Sequence, residues 1–258
     1  MAVSVDKVYQ KVLAIANKEQ RGYVTPQEFN LFADQVQMDI FEQYFYDLNK
    51  RQQTPGNDSY YADITTNIQS KISMFEVSEQ SVSMQSGSLA YLSNDLNNFY
   101  RLANVKVSYI KNGYGFVEAE EVTNSGLQKY EKSPLAKPNK RRPIYTKFST
   151  SQVPVAIKIY PHAGSYTNPI SGNVTSDSLM ISYIRKPKSP NWTYVIGTNK
   201  NALYNPSAAD HQDFELHASE ETNIVIKILQ LAGISIKDVQ LASIAAQEDI
   251  KNIQLENK

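Results

Sequence analysis

The chain has 258 residues, 26 basic against 26 acidic, a formal net charge of +0 and no cysteine. Charge balance argues against a globally basic nucleic-acid coat and against an acidic disordered chain. The lack of cysteine excludes disulfides, thiolate metal sites and a cysteine nucleophile. No apolar run approaches the roughly 20 residues that span a bilayer, and the N-terminus lacks a signal-peptide core. A protein made in the cytoplasm, with no membrane partner, is therefore expected.

Taken in order, Val5, Val8, Val12, Ile15 and Ala16 predict a first amphipathic helix ending near Arg21-Gly22, where glycine can take the left-handed position that stops it. Thr25 and Glu28 then form a capping box, Pro26 sits at the first helical position, and Val24 and Phe29 have the spacing of a hydrophobic staple. Phe29, Phe32, Val36, Ile40, Tyr44 and Leu48 follow, with Ala33, Phe41 and Phe45 beside them. That pattern predicts a helix from Pro26 to Asn49, about 36 Å long, with a wide aromatic face that must be covered. Gln52 to Asn57 reads as a turn, and Tyr61, Ile64, Ile68 and Ile72 mark a third helix.

The period changes between about Ser73 and Trp192. Val105 to Ile110 is strand-like, Asn112-Gly113 is a hairpin turn, and Phe116-Val117 begins the return. Ile144 to Phe148 and Val155 to Tyr160 predict a second hairpin. Leu179 to Ile184 is a further strand closed by Pro187 and Pro190. Glu118 to Tyr130 fits either loop or short helix. Ser219, ahead of Glu220 and Glu221, predicts a helix start; Ile224, Ile228, Leu229 and Leu231 continue it, and Gly233 is its expected stop. Leu241, Ile244, Ala245 and Ile253 suggest a last helix. The expected class is α+β: an N-terminal helical region over 1–74, a central antiparallel β-rich domain over 75–196 and a C-terminal helical region over 197–258.

No phosphate-binding loop, H-E-x-x-H or G-x-S-x-G motif is present. His162, His211 and His217 match no familiar metal spacing, and Glu118, Glu120 and Glu121 read as a solvated face rather than an acid–base pair. A non-enzyme is expected, with no catalytic residue, metal or cofactor. Two basic clusters stand out. Lys132 to Pro143 holds Lys137, Lys140, Arg141 and Arg142 in a proline-stiffened stretch, and Arg185, Lys186 and Lys188 end a strand. Three readings are open: contact with DNA phosphates, pairing with an acidic neighbouring subunit, and a solvated loop. Subunit pairing is preferred, because the chain is neutral and carries no nucleic-acid fold signature.

The stretch Ile15 to Phe32, a helix end, a Gly-Tyr turn and a capped aromatic helix in that order, resembles the N-terminal region of virion structural proteins from crAss-like and related uncultured tailed phages. It is most similar to their head–tail connector ring or adaptor proteins, with further echoes at Pro134–Tyr145, Tyr183–Trp192 and Glu215–Gly233. The resemblance implies a structural protein of the virion neck, forming a homo-oligomeric ring, expected to be dodecameric, beneath the portal protein. It also implies contacts with other neck or tail proteins and passing contact with packaged DNA. Alternatives are another tail or tail-stabilising component and, in a different class, a nucleic-acid-binding protein using the basic loops.

Overall fold

The computed structural model describes residues 2–18, 24–53, 58–82, 84, 88–92, 96–109, 115–149, 155–162, 165–167, 174–197, 202–235, 247, 250 and 251. In chain order the elements begin β1 (Ala2–Val3), α1 (Val5–Lys18), α2 (Pro26–Gln53) and α3 (Asp58–Ser73). Strands β2 (Glu76–Val82), β3 (Leu89–Tyr91), β4 (Phe99–Ser108), β5 (Phe116–Glu118) and β6 (Glu120–Glu121) precede α4 (Asn124–Lys132). Then come β7 (Ile144–Phe148), β8 (Ala156–Tyr160), β9 (Ser165–Thr167), β10 (Val174–Ser176) and β11 (Ser178–Arg185). The chain closes with β12 (Tyr194–Ile196), β13 (Ala202–Tyr204), β14 (Phe214–His217), a 3₁₀ turn (Ala218–Glu220) and α5 (Glu221–Ser235). The class is α+β. The elements form two compact units, one of Met1–Met74 with Pro187–Lys258, the other of Phe75–Lys186.

In the helical unit the capping box is made. Thr25 N donates to Glu28 Oε2 at 2.9 Å, and Glu28 N donates to Thr25 Oγ1 at 3.3 Å. This holds the Glu28 carboxyl below the usual carboxylate range, the Thr25 backbone N–H being the largest cause. Val24 and Phe29 are both buried, as a staple requires. Phe29, Ala33, Val36, Ile40, Phe41 and Tyr44 bury the aromatic face of α2, which packs on α3 and α5. The helix runs four residues past Asn49, through part of the expected turn; residues 54–57 lie outside the described ones. On α1 the buried stripe is Val5, Val8, Tyr9, Val12 and Ala16, whereas Ile15 is exposed. Arg21-Gly22 and most of the last expected helix lie outside the described residues.

The start of α5 differs from expectation. His217, not Ser219, caps the preceding 3₁₀ turn, its side chain accepting from Ser219 N. The reason is Glu220, whose buried carboxylate meets Lys71 Nζ at 2.6 Å and Asn223 Nδ2 at 2.9 Å. Tightening the chain before α5 turns Glu220 inward to these partners. Gly233 is buried inside the helix, which continues to Ser235. Gln37 is fully buried and joins three segments: Nε2 donates to Lys188 O at 2.7 Å and Oε1 accepts from Glu215 N at 3.0 Å.

The β unit contains two four-stranded sheets, in orders β2-β11-β4-β5 and β3-β8-β7-β6. Period-two alternation on β4 and β11 sends Val105, Val107, Leu179, Ile181 and Tyr183 inward, where they meet Ala90, Tyr145, Ile157 and Ile159 of the other sheet in one core. The β4–β5 hairpin is antiparallel, although its Asn112-Gly113 turn lies outside the described residues. The β7–β8 hairpin has the expected register, Ile144 opposite Tyr160 and Phe148 opposite Ala156. Edge strand β2 is interrupted where the register shifts beside Ser182; Glu79 takes a φ of 55° there and donates its N–H to Ser182 Oγ. A bulged, acidic edge discourages pairing with another sheet. One ladder departs from the antiparallel expectation: β6 pairs with β7 in parallel, Glu120 with Ile144 and Glu121 with Tyr145.

Candidate interaction surfaces

Parallel pairing has a topological consequence. A hairpin cannot join β6 to β7, so the chain must leave the sheet and return to it in the same direction. Residues 122–143 make that crossover, and they carry the first basic cluster. Thr123 Oγ1 accepts from Gly126 N at 3.2 Å and starts α4, no residue of which is buried. Lys129 and Lys132 occupy its last turn, where cations suit the helix carbonyls. Ser133 ends the helix and begins a tight turn: its Oγ accepts from Ala136 N at 3.2 Å, and its carbonyl accepts from Lys137 N at 3.1 Å. Leu135, at the head of this turn, is 91% exposed. Asn139 Oδ1 then accepts from both Arg141 N and Arg142 N, at 2.9 and 3.0 Å, and turns the chain back toward β7.

This lobe holds Lys129, Lys132, Lys137, Lys140, Arg141 and Arg142 against a single acid, Glu131. All of these cations are exposed except Lys140, which is half-buried with Nζ 5.6 Å from the Tyr109 ring centroid. A cation placed over an aromatic face contributes to holding the lobe on its sheet. Lys140 therefore faces its own unit more than a partner.

The second cluster is divided between the two units. Arg185 is half-buried 5.8 Å from the Phe75 ring, and its Nη1 donates to Lys186 O at 3.4 Å. Lys186 is exposed at the end of the β unit, while Lys188 belongs to the helical unit, where its backbone N–H donates to Glu215 Oε2 at 2.8 Å.

The histidines are dispersed. His162 Nδ1 lies 2.9 Å from Ser88 Oγ, His211 Nε2 is 2.8 Å from Tyr204 Oη, and His217 caps its turn. Among the described residues no group of three His, Asp or Glu side chains is placed to hold a metal ion. Glu121 accepts from Lys147 Nζ at 2.7 Å and Tyr145 Oη at 3.1 Å, and the Lys147 hydrogen bond is the main reason its carboxyl lies below the usual range. It serves as a cross-strand ion pair. Burial raises the Tyr145 phenol well above its ordinary value, and the neighbouring Glu121 adds to the effect.

Two surfaces were not anticipated as such. The ribbon β12–β13 exposes Val195 opposite Leu203, with Ile196 68% exposed. Its signal was present as two apolar triplets around Gly197-Thr198-Asn199-Lys200-Asn201. At its base Tyr194 and Tyr204 stack on the buried Trp192, whose Nε1 donates to Asp6 Oδ1 at 3.0 Å. The other surface is the outer face of α2. Glu28, Leu31, Gln35, Asp39, Glu42 and Tyr46 recur at three- and four-residue steps, and all are exposed, Leu31 by 72% and Tyr46 by 64%. From Pro26 to Asn49 the helix has five acids and no Lys or Arg. Partial burial raises the Asp39 carboxyl above its usual value, opposed by Lys227 and reinforced by Glu42.

No helix among the described residues is long and apolar enough to cross a membrane. Compared with known protein families and with curated proteins, the chain matches none.

Proposed function

We propose that this chain is a structural protein of a tailed-phage virion that forms a ring in the head–tail connector, beneath the portal. The reading rests on the resemblance of Ile15 to Phe32, a segment that here comprises the end of α1 and the boxed start of α2. One structural observation supports an assembly role in particular: the crossover at residues 122–143 is a hydrogen-bonded, strongly basic lobe that buries none of its α4 residues. A preorganised charged surface binds with less loss of conformational freedom than a floppy tail does. Dodecameric symmetry, matching the portal, is the expected state, and other neck or tail proteins are the expected neighbours. The same lobe is what favours the second reading, a nucleic-acid-binding protein that contacts phosphates through Lys and Arg.

Electron microscopy of the purified full chain, alone and mixed with purified portal of the same phage, tests the proposal. Closed rings that stack coaxially on the portal are expected. A monomer that ignores the portal and binds duplex DNA with steep salt dependence would refute it and leave the second reading.

A further inference from the structure

We infer that the basic lobe of one copy docks along the acidic outer stripe of α2 of the next copy. The inference rests on the ring reading above and names the two faces that such a ring would join. A heterologous ring needs two different, mutually complementary patches on each subunit. The chain carries such a pair. The lobe exposes Lys129, Lys132, Lys137, Arg141 and Arg142 with one acid, Glu131, while the outer stripe of α2 exposes Glu28, Asp39 and Glu42 and carries no Lys or Arg. The net charge of +0 thus conceals two strongly segregated surfaces.

The match extends to apolar groups. Leu135 stands out from a turn fixed by Ser133, with Lys132 and Lys137 on either side in sequence. Leu31 and Tyr46 are exposed toward the two ends of the α2 stripe, with Asp39 and Glu42 between them. From Glu28 to Tyr46 the stripe covers about five helical turns, or about 27 Å. An apolar anchor within a charged surround is the usual anatomy of a protein interface. A phosphate backbone would pair with the cations and offer the leucine nothing to bury against. Glu220 and Glu221 are not available as opposing groups, since Glu220 is held by Lys71 and Glu221 by Lys11 within one chain.

Charge exchange tests the inference. One variant reverses the lobe, Lys132→Glu with Lys137→Glu and Arg142→Glu. A second reverses the stripe through Gln35→Lys and Glu42→Lys, leaving Asp39 and Lys227 untouched. A third carries both sets. A fourth, Leu135→Asp, alters one exposed side chain and guards against misfolding of the multiple variants. Circular dichroism checks folding, and sedimentation velocity at low and high salt reads self-association. Wild-type association should weaken as salt rises. Each single-sided reversal and Leu135→Asp should weaken it at least about tenfold, since like charges placed across an interface are strongly unfavourable. The combined variant should recover much of the loss. Association that survives the single-sided reversals overturns the inference and leaves the ring standing. Unchanged association with lost DNA binding in the lobe variant overturns it in favour of a polyanion contact. A wild-type chain that remains monomeric both alone and with the portal refutes the ring reading itself.

Discussion

Replacing Gln37 with Leu removes two buried hydrogen bonds while nearly conserving side-chain volume. Nε2 donates to Lys188 O at 2.7 Å, and Oε1 accepts from Glu215 N at 3.0 Å. Each bond contributes about 1 kcal/mol net, and a stranded backbone group costs about 1–3 kcal/mol when water cannot reach it. Lys188 is exposed and its carbonyl can rehydrate, whereas Glu215 is half-buried and its N–H is the group left stranded. The expected loss is about 2–3 kcal/mol, which lowers Tm by roughly 5–10 °C for a unit of this size. Trp192, the single tryptophan, is buried in the same unit, so its fluorescence reports unfolding of that unit alone. Urea titration followed at Trp192 should show a lower midpoint with an unchanged slope. Gln37→Glu gives a sharper test. A carboxylate keeps the acceptor for Glu215 N but cannot donate to Lys188 O, and it adds a buried charge. Its folded pKa is therefore raised, so the damage should be greatest at neutral pH and shrink as acid protonates it. A loss below about 0.5 kcal/mol for Gln37→Leu would refute the claim that this amide joins the three segments.

Three further outcomes are expected. Thr25→Ala should cost about 1 kcal/mol by removing the α2 cap. Glu28 has a folded pKa below its ordinary 4.5, so its contribution is present above that value and is lost as pH falls through the folded one. The stability gap between wild type and Glu28→Gln, measured by thermal unfolding, should accordingly close in acid. Lys71→Met should destabilise the helical unit by about 3–5 kcal/mol, because it leaves the buried Glu220 carboxylate with Asn223 but without its cation. Adding Glu220→Leu should restore much of the loss in a denaturant titration, and a further loss instead would contradict the pairing.

The helices were legible because their determinants are local. Thr25, Pro26 and Glu28 lie within one turn of each other, and the buried side chains of α2 recur at helical spacing. The hairpins β4–β5 and β7–β8 were legible for the same reason, since alternation and a short connection are contained in about twenty residues. Tertiary structure alone decided the rest. The strand order β2-β11-β4-β5 brings residues about a hundred apart onto neighbouring strands, and no local pattern encodes such a pairing. Glu220 looked like a solvated helix-start acid, but Lys71 and Asn223 make it a buried ion pair. The basic residues of 124–142 were visible as a string of charges; the parallel ladder of β6 with β7 is what turned that string into a projecting lobe and set Lys140 against Tyr109. Capping and periodicity act over a few residues and can be read along the chain. Burial, ion pairing and the exposure of a surface depend on which distant segments meet, and that is settled only when the chain folds.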